Sequence, residues 1–254
     1  LKRYQDIFPA KPLAAKTILA YQHSAVGRDI LVEILEALGA RVIPVDRAAE
    51  GVFIPIDTEN ITPPLQLYFR RLARYYNLRQ WIRFKPSIFG IVSMDGDSDR
   101  PFVMDAHGQF YRGDILNVLS AKYLKADAAA TTNSANKAVG WALDELGIAY
   151  KRTKIGSPLV ALAMMRFAQA GFKRVISWEV NGGLLIGTDM QVNNATLRQL
   201  PTRDALLPIL LALMSAQEAK KSLSYTFRKS LRLYYTQAGL IRNCLLYTSD
   251  AADE

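Results

Sequence analysis

The sequence predicts an α/β protein built as two consecutive domains with mixed sheets, and three observations predict it. Apolar runs of strand length alternate with glycine-stopped helical patterns from Lys16 to Val45 and again from Ala128 to Trp178. The stretch from Phe102 to Tyr111 reads as a hairpin around a turn, so antiparallel pairs should join the parallel crossovers. Each half also places a polar, glycine-containing stretch directly after an apolar strand, the edge at which open α/β sheets bind ligands.

Composition sets the bounds. The 254 residues are enough for one large or two medium cores, and a chain that is half hydrophobic and 22% charged is globular rather than disordered. The longest apolar run, Leu206 to Met214, is about half of what a membrane span needs, so no membrane partner is expected. Cys244 is the only cysteine, which excludes a disulfide framework and points to a cytoplasmic setting. His23 and His107 are the only histidines, too few for a zinc cluster, and they are expected in a loop and a turn. The net charge of +9 gathers in Tyr68 to Lys85, where six basic residues interleave with aromatics. That mixture could hold a nucleic acid. Leu65, Phe69, Leu72 and Tyr76 nevertheless recur at helical spacing, which favours a surface helix whose charge attracts small anions.

In order along the chain, Leu1 to Pro12 reads as an entry segment and Lys16 to Tyr21 as a strand. Gly27 and Arg28 open a helix that Gly39 stops, and Arg41 to Val45 returns as a parallel strand. Phe53 to Glu59 is strand-like, with Pro55 and Pro63 barring a helix. The arginine-rich helix follows, then the strand Phe89 to Ser93. In the second half, Asn133 or Ser134 should cap a helix that Gly147 ends. Ala149 to Thr153 is a strand, and Ser157 should cap, with Pro158 at the first position, a helix ended by Gly171. Lys173 to Trp178 is the next strand, and Thr202 should cap the apolar helix through Met214. Ala216 to Tyr235 reads as a basic helix, and residues 244–254 as a polar-acidic tail foreign to the native protein.

Chemistry concentrates in Met94-Asp95-Gly96-Asp97-Ser98-Asp99-Arg100-Pro101. Three carboxylates alternating with small residues in a turn can converge on one point, where they repel unless a hard cation neutralises them. Ligation by oxygen alone favours magnesium or calcium. Arg100 adds a fixed fork suited to a phosphate oxygen. An acidic turn can also be merely solvated, since Asp, Gly and Ser are ordinary turn residues. An EF-hand fails, because its sixth position would be Arg100 and its twelfth Ala106.

In full, the string resembles the magnesium loop Asp-Gly-Asp-x-Asp-Arg of the α-D-phosphohexomutases, the phosphomannomutase and phosphoglucomutase family, and later stretches match that family in the same order. The resemblance implies magnesium held by Asp95, Asp97 and Asp99, with Arg100 facing phosphate. It matches Thr153 to Pro158, with Ser157, to a loop that approaches the substrate. Glu179 to Gly183 lies where relatives carry the sugar-reading loop Gly-Glu-x-Ser-Gly-His, with Trp178 replacing its glycine, Asn181 its serine and Gly183 its histidine. Glu179, Asn181 and Gly182 are therefore expected at the sugar. Judged alone, Asn-Gly-Gly can also be a simple hairpin turn.

The implied activity is an isomerase: an intramolecular phosphotransferase interconverting hexose 6-phosphate and hexose 1-phosphate, with mannose favoured, through a phosphoserine and a bisphosphate. The implied division is 1–108 for the metal-loop domain (the family's second), 109–215 for the sugar-loop domain (its third) and 216–243 for the start of the fourth. The family's serine loop, Thr-x-Ser-His-Asn-Pro or similar, is not found in the sequence. The chain is accordingly expected to be a fragment of middle domains, inactive alone. Two other classes stay open. A magnesium phosphohydrolase would use Asp95 and Asp97 and release phosphate in a burst. A non-catalytic basic module would bind RNA in a salt-sensitive manner through the Arg70 to Lys85 helix.

Overall fold

The computed structural model describes residues 2–231, so Cys244, the 244–254 tail and the end of the 216–243 segment lie outside the described residues. Its first part runs α1 (Lys2–Gln5), β1 (Thr17–His23), α2 (Arg28–Ala37), β2 (Arg41–Arg47), α3 (Pro63–Ile82), β3 (Gly90–Met94), β4 (Pro101–Asp105) and β5 (Phe110–Tyr111). The strands order as β2-β1-β3-β4-β5, with β1 parallel to both β2 and β3, and β4 antiparallel to β3 and β5. Parallel neighbours need crossovers, and α2 and α3 supply them.

The second part runs α4 (Gly113–Tyr123), β6 (Ala128–Thr132), α5 (Lys137–Glu145), β7 (Ala149–Thr153), α6 (Ser157–Gln169), β8 (Val175–Trp178), β9 (Leu184–Ile186), β10 (Met190–Val192), β11 (Ala195–Leu197), β12 (Leu200–Asp204), α7 (Leu206–Glu218) and α8 (Leu223–Leu231). Its main sheet orders as β12-β9-β8-β6-β7, parallel among β7, β6 and β8 and antiparallel beyond. The fold is thus mixed α/β with two mixed sheets.

A shared helical layer joins the sheets. α4 touches β4 on one side and β8 on the other, and α7 packs on both α4 and β4. This explains the all-apolar Leu207 to Met214: every one of those side chains is buried, as a helix enclosed on all sides requires. On the outer face of the first sheet, α3 turns Phe69 and Ala73 into a separate core, with Leu65, Leu72 and Tyr76 packed against it. Its arginines at 70, 71, 74 and 79, and Arg83 just past its end, are all exposed, as expected of an amphipathic surface helix.

Several local expectations need correction. Phe53 to Glu59 forms no strand: Ile54 is tied by side chains instead, its N–H to Ser24 Oγ at 2.9 Å and its carbonyl to Ser24 Oγ at 3.0 Å. Asn136, not Asn133 or Ser134, caps α5, its side-chain oxygen accepting from Ala138 N. Thr202 lies inside β12, and α7 is capped from Asp204, whose Oδ1 accepts from Leu207 N at 3.0 Å. Ser157 is the first residue of α6 rather than its cap, which is Gly156. Nor is 216–235 one helix: α7 ends at Glu218 and α8 starts at Leu223. The entry segment is anchored too, since Tyr4 Oη donates to Asp204 Oδ1 at 3.0 Å and Ile7, Phe8 and Leu13 are buried.

Candidate functional site

The aspartate turn closes the β3–β4 hairpin, where Met94 pairs with Pro101. Asp95 N donates to Arg100 O at 3.1 Å, and Asp95 Oδ1 accepts from Asp99 N at 3.1 Å and Arg100 N at 3.0 Å. One oxygen of Asp95 therefore shapes the bend. Ser98 takes the left-handed conformation at φ 65, and its Oγ accepts from Gly27 N at 2.8 Å, seating the turn on the first residue before α2. His23, expected in a loop, is instead the buried last residue of β1. Its ring lies between two carbonyl oxygens, Nε2 2.7 Å from Met94 O and Nδ1 3.1 Å from Ile54 O, so it props the base of the turn.

Asp95, Asp97 and Asp99 each present an oxygen within 4.8 Å of the others. Burial, then the neighbouring Asp97 and Asp99, push the Asp95 carboxyl up to about 6. Burial also raises Asp99, against the pull of Arg203. Asp99 Oδ1 is buried without a hydrogen-bond partner. Three crowded carboxylates, one with an orphaned oxygen, are what a hard divalent cation would relieve, so the residues fit magnesium. Arg100 holds its Nε 3.5 Å from Asp95 Oδ2 and 3.7 Å from Asp99 Oδ1, with Nη1 3.8 Å from Glu59 Oε1. These are ion-pair contacts, and the Nε makes no hydrogen bond.

In the second sheet, residues 179–183 link β8 to antiparallel β9, so the hairpin reading and the loop reading describe one element. Glu179 receives two bonds from the α6 N-terminus: Gly156 N to Oε1 at 3.0 Å and Ser157 Oγ to Oε2 at 2.5 Å. Asn181 turns its Oδ1 to Gly183 N at 3.2 Å. Gly182, at φ 90, lies against Gly113, where a Cβ on either glycine would come within 2.5 Å of the other's Cα. Buried Asn117 on α4 donates to Gly182 O at 2.8 Å.

The two halves meet here. Arg203 Nη2 reaches Asp99 Oδ2 at 2.5 Å. A Cβ on Gly183 would stand 2.7 Å from Arg203 Cβ and 2.8 Å from Asp99 O, so the glycine admits that approach. Glu59 joins from the irregular 51–62 strap, where Arg100, Arg112 and Glu179 all act on its charge and burial raises its carboxyl. All eight residues singled out in the sequence, Asp95, Asp97, Asp99, Arg100, Ser157, Glu179, Asn181 and Gly182, thus lie in the two loops and the helix start at this junction. Sequence reading missed Arg203, Asn117, Glu59 and His23. Asn117 left a trace, a lone amide in the apolar run Ile115 to Leu119, whereas Arg203 left none.

Residues 112–234 match the family described as phosphoglucomutase/phosphomannomutase, alpha/beta/alpha domain III. With the two-sheet fold and the aspartate turn before it, the chain is a member of the phosphohexomutase family, covering its middle domains. The phosphomannomutase of Sinorhizobium fredii (strain NBRC 101917 / NGR234) is 39% identical over 251 residues, 99% of this chain and 50% of that protein. That of Salmonella muenchen is 36% identical over 250 residues, 97% of this chain and 48% of that protein. The chain spans about half the length of the curated relatives it matches. A solved phosphoglucomutase/phosphomannomutase family protein from Burkholderia thailandensis superposes with a TM-score of 0.66 at 14% identity, covering 89% of this chain and 44% of that one, a likeness of fold.

Proposed function

We propose that this chain carries the metal-binding and sugar-reading parts of a magnesium-dependent phosphohexomutase of the phosphomannomutase kind, acting in the cytoplasm on hexose phosphates. The single observation behind this reading is the meeting of the Asp95–Arg100 turn with the Glu179–Gly183 loop at the carboxyl edges of two sheets. The division at 108/109 separates the two, with the metal turn on one side and the sugar loop on the other. The phosphoryl group would pass through a phosphoserine and a hexose bisphosphate, as the family resemblance implies.

Each residue then has a task. A magnesium ion held by Asp95, Asp97 and Asp99 would draw charge off a phosphoryl group. Arg100 would set its unspent Nε beside the same oxygens and stabilise their charge as it builds. Glu179, gripped by Gly156 N and Ser157 Oγ, has its carboxylate fixed in orientation and would accept from sugar hydroxyls. Asn181 and Gly182 would set the height of that loop, holding the reacting oxygen in line. Calorimetric titration with magnesium tests the reading. One ion should bind per chain, and Asp97→Asn should weaken it at least tenfold. Equal affinity in the variant would remove the turn from the metal site.

A further inference from the structure

We infer that Arg203 is the positioning residue for Asp99, setting the third metal carboxylate from the opposite domain; this rests on the magnesium reading of the turn. Three observations converge on it. Arg203 Nη2 binds Asp99 Oδ2 at 2.5 Å, while Asp99 Oδ1 is buried with no hydrogen-bond partner. With one carboxylate oxygen occupied by the guanidinium, the other stays free to take an ion, the division of labour by which outer groups orient metal ligands. The partners expose only 29% and 24% of their side chains, against 77% and 42% for the surface pair Arg198–Asp189, so solvent screens the first pair far less.

The arginine is held ready for this. Its stem runs directly over Gly183, where a Cβ would stand 2.7 Å from Arg203 Cβ and 2.8 Å from its Cγ. Its neighbour Asp204 is fixed by Tyr4 Oη, by Leu207 N and by pairing of β12 with Leu184. Little side-chain freedom remains to be lost when the ion pair forms. Gly183 and Arg203 therefore act together: the glycine opens the passage and the arginine fills it. One side chain thus touches both loops, its stem against Gly183 and its guanidinium on Asp99.

The test is magnesium titration of the whole chain by calorimetry, with thermal melting in chelator as a folding control. Arg203→Met should weaken magnesium binding about tenfold, the low end of what loss of such an orienting group costs. Arg203→Lys should recover part of that, since the charge returns without the planar fork. Arg198→Met should leave affinity unchanged. In an Asp99→Asn background the Arg203→Met effect should vanish. Should Arg203→Met fail to melt cooperatively, Arg203→Lys decides alone. A folded Arg203 variant that binds magnesium as tightly as the wild type, or more tightly, overturns the inference and leaves the metal reading standing. A wild type that takes up no magnesium overturns the metal reading itself, and the inference falls with it.

Discussion

At the scale of single residues, the site shows carboxylates held against their electrostatic preference. The Asp95 carboxyl stands at about 6, raised first by burial and then by Asp97 and Asp99. In the unfolded chain it would titrate near ~3.9. Between those values the folded chain keeps a proton that the unfolded chain has lost, so stability falls as pH rises through that window. Metal-free wild type should therefore lose stability from pH 4 to 6 relative to Asp95→Asn, and urea melts at the two pH values would measure it. A magnesium ion bound at this cluster would have to displace that proton, so on the proposed reading affinity should climb up to about pH 6 and then level off. Gly183→Ala offers a second check. Its methyl would meet a backbone oxygen as well as Arg203, and overpacking of this kind costs about 1–3 kcal/mol, readable as a lower melting temperature.

At the scale of elements, the readable ones have local causes. The parallel unit β1–α2–β2 follows from its apolar periodicity and from Gly39 at φ 90 beyond the helix end. The hairpin β4–β5 follows from Asp105, whose Oδ1 accepts from both His107 N and Gln109 N. The misread elements have distant causes. Phe53 to Glu59 has strand composition, yet Ser24 and His23 take the Ile54 backbone groups that a ladder would need. Thr202 looked like a cap because the strand pairing of Asp204 with Leu184 is invisible along the chain. α7 gives the element-scale prediction. Leu210 is fully buried in the layer shared by the two sheets, so Leu210→Ala should cost about 2–5 kcal/mol in chemical denaturation.

At the scale of the whole molecule, the candidate site depends on two sheets joined through a shared helical layer. Asn117 illustrates this, because it lies on the helix between them and donates to Gly113 O and Gly182 O. Asn117→Leu would orphan the buried Gly182 carbonyl, at about 1–3 kcal/mol for an unsatisfied buried group. It should loosen the sugar loop more than the metal turn. Hydrogen exchange should show faster exchange at Gly183 and unchanged protection across β3 and β4. Equal loosening of both would mean the two loops respond as one body.

The sequence by itself determined the charge and shape of the turn, because its carboxylates alternate within a few residues and its bend is closed by bonds between Asp95 and Arg100. It also determined most strands and helices, whose periodicities are local. Only the tertiary structure decided that Arg203 reaches Asp99, that Gly183 clears its way and that Glu59 faces Arg100. Those partners are far apart in the chain, and sheet pairing and helix packing choose which distant side chains come within reach of a shared charge.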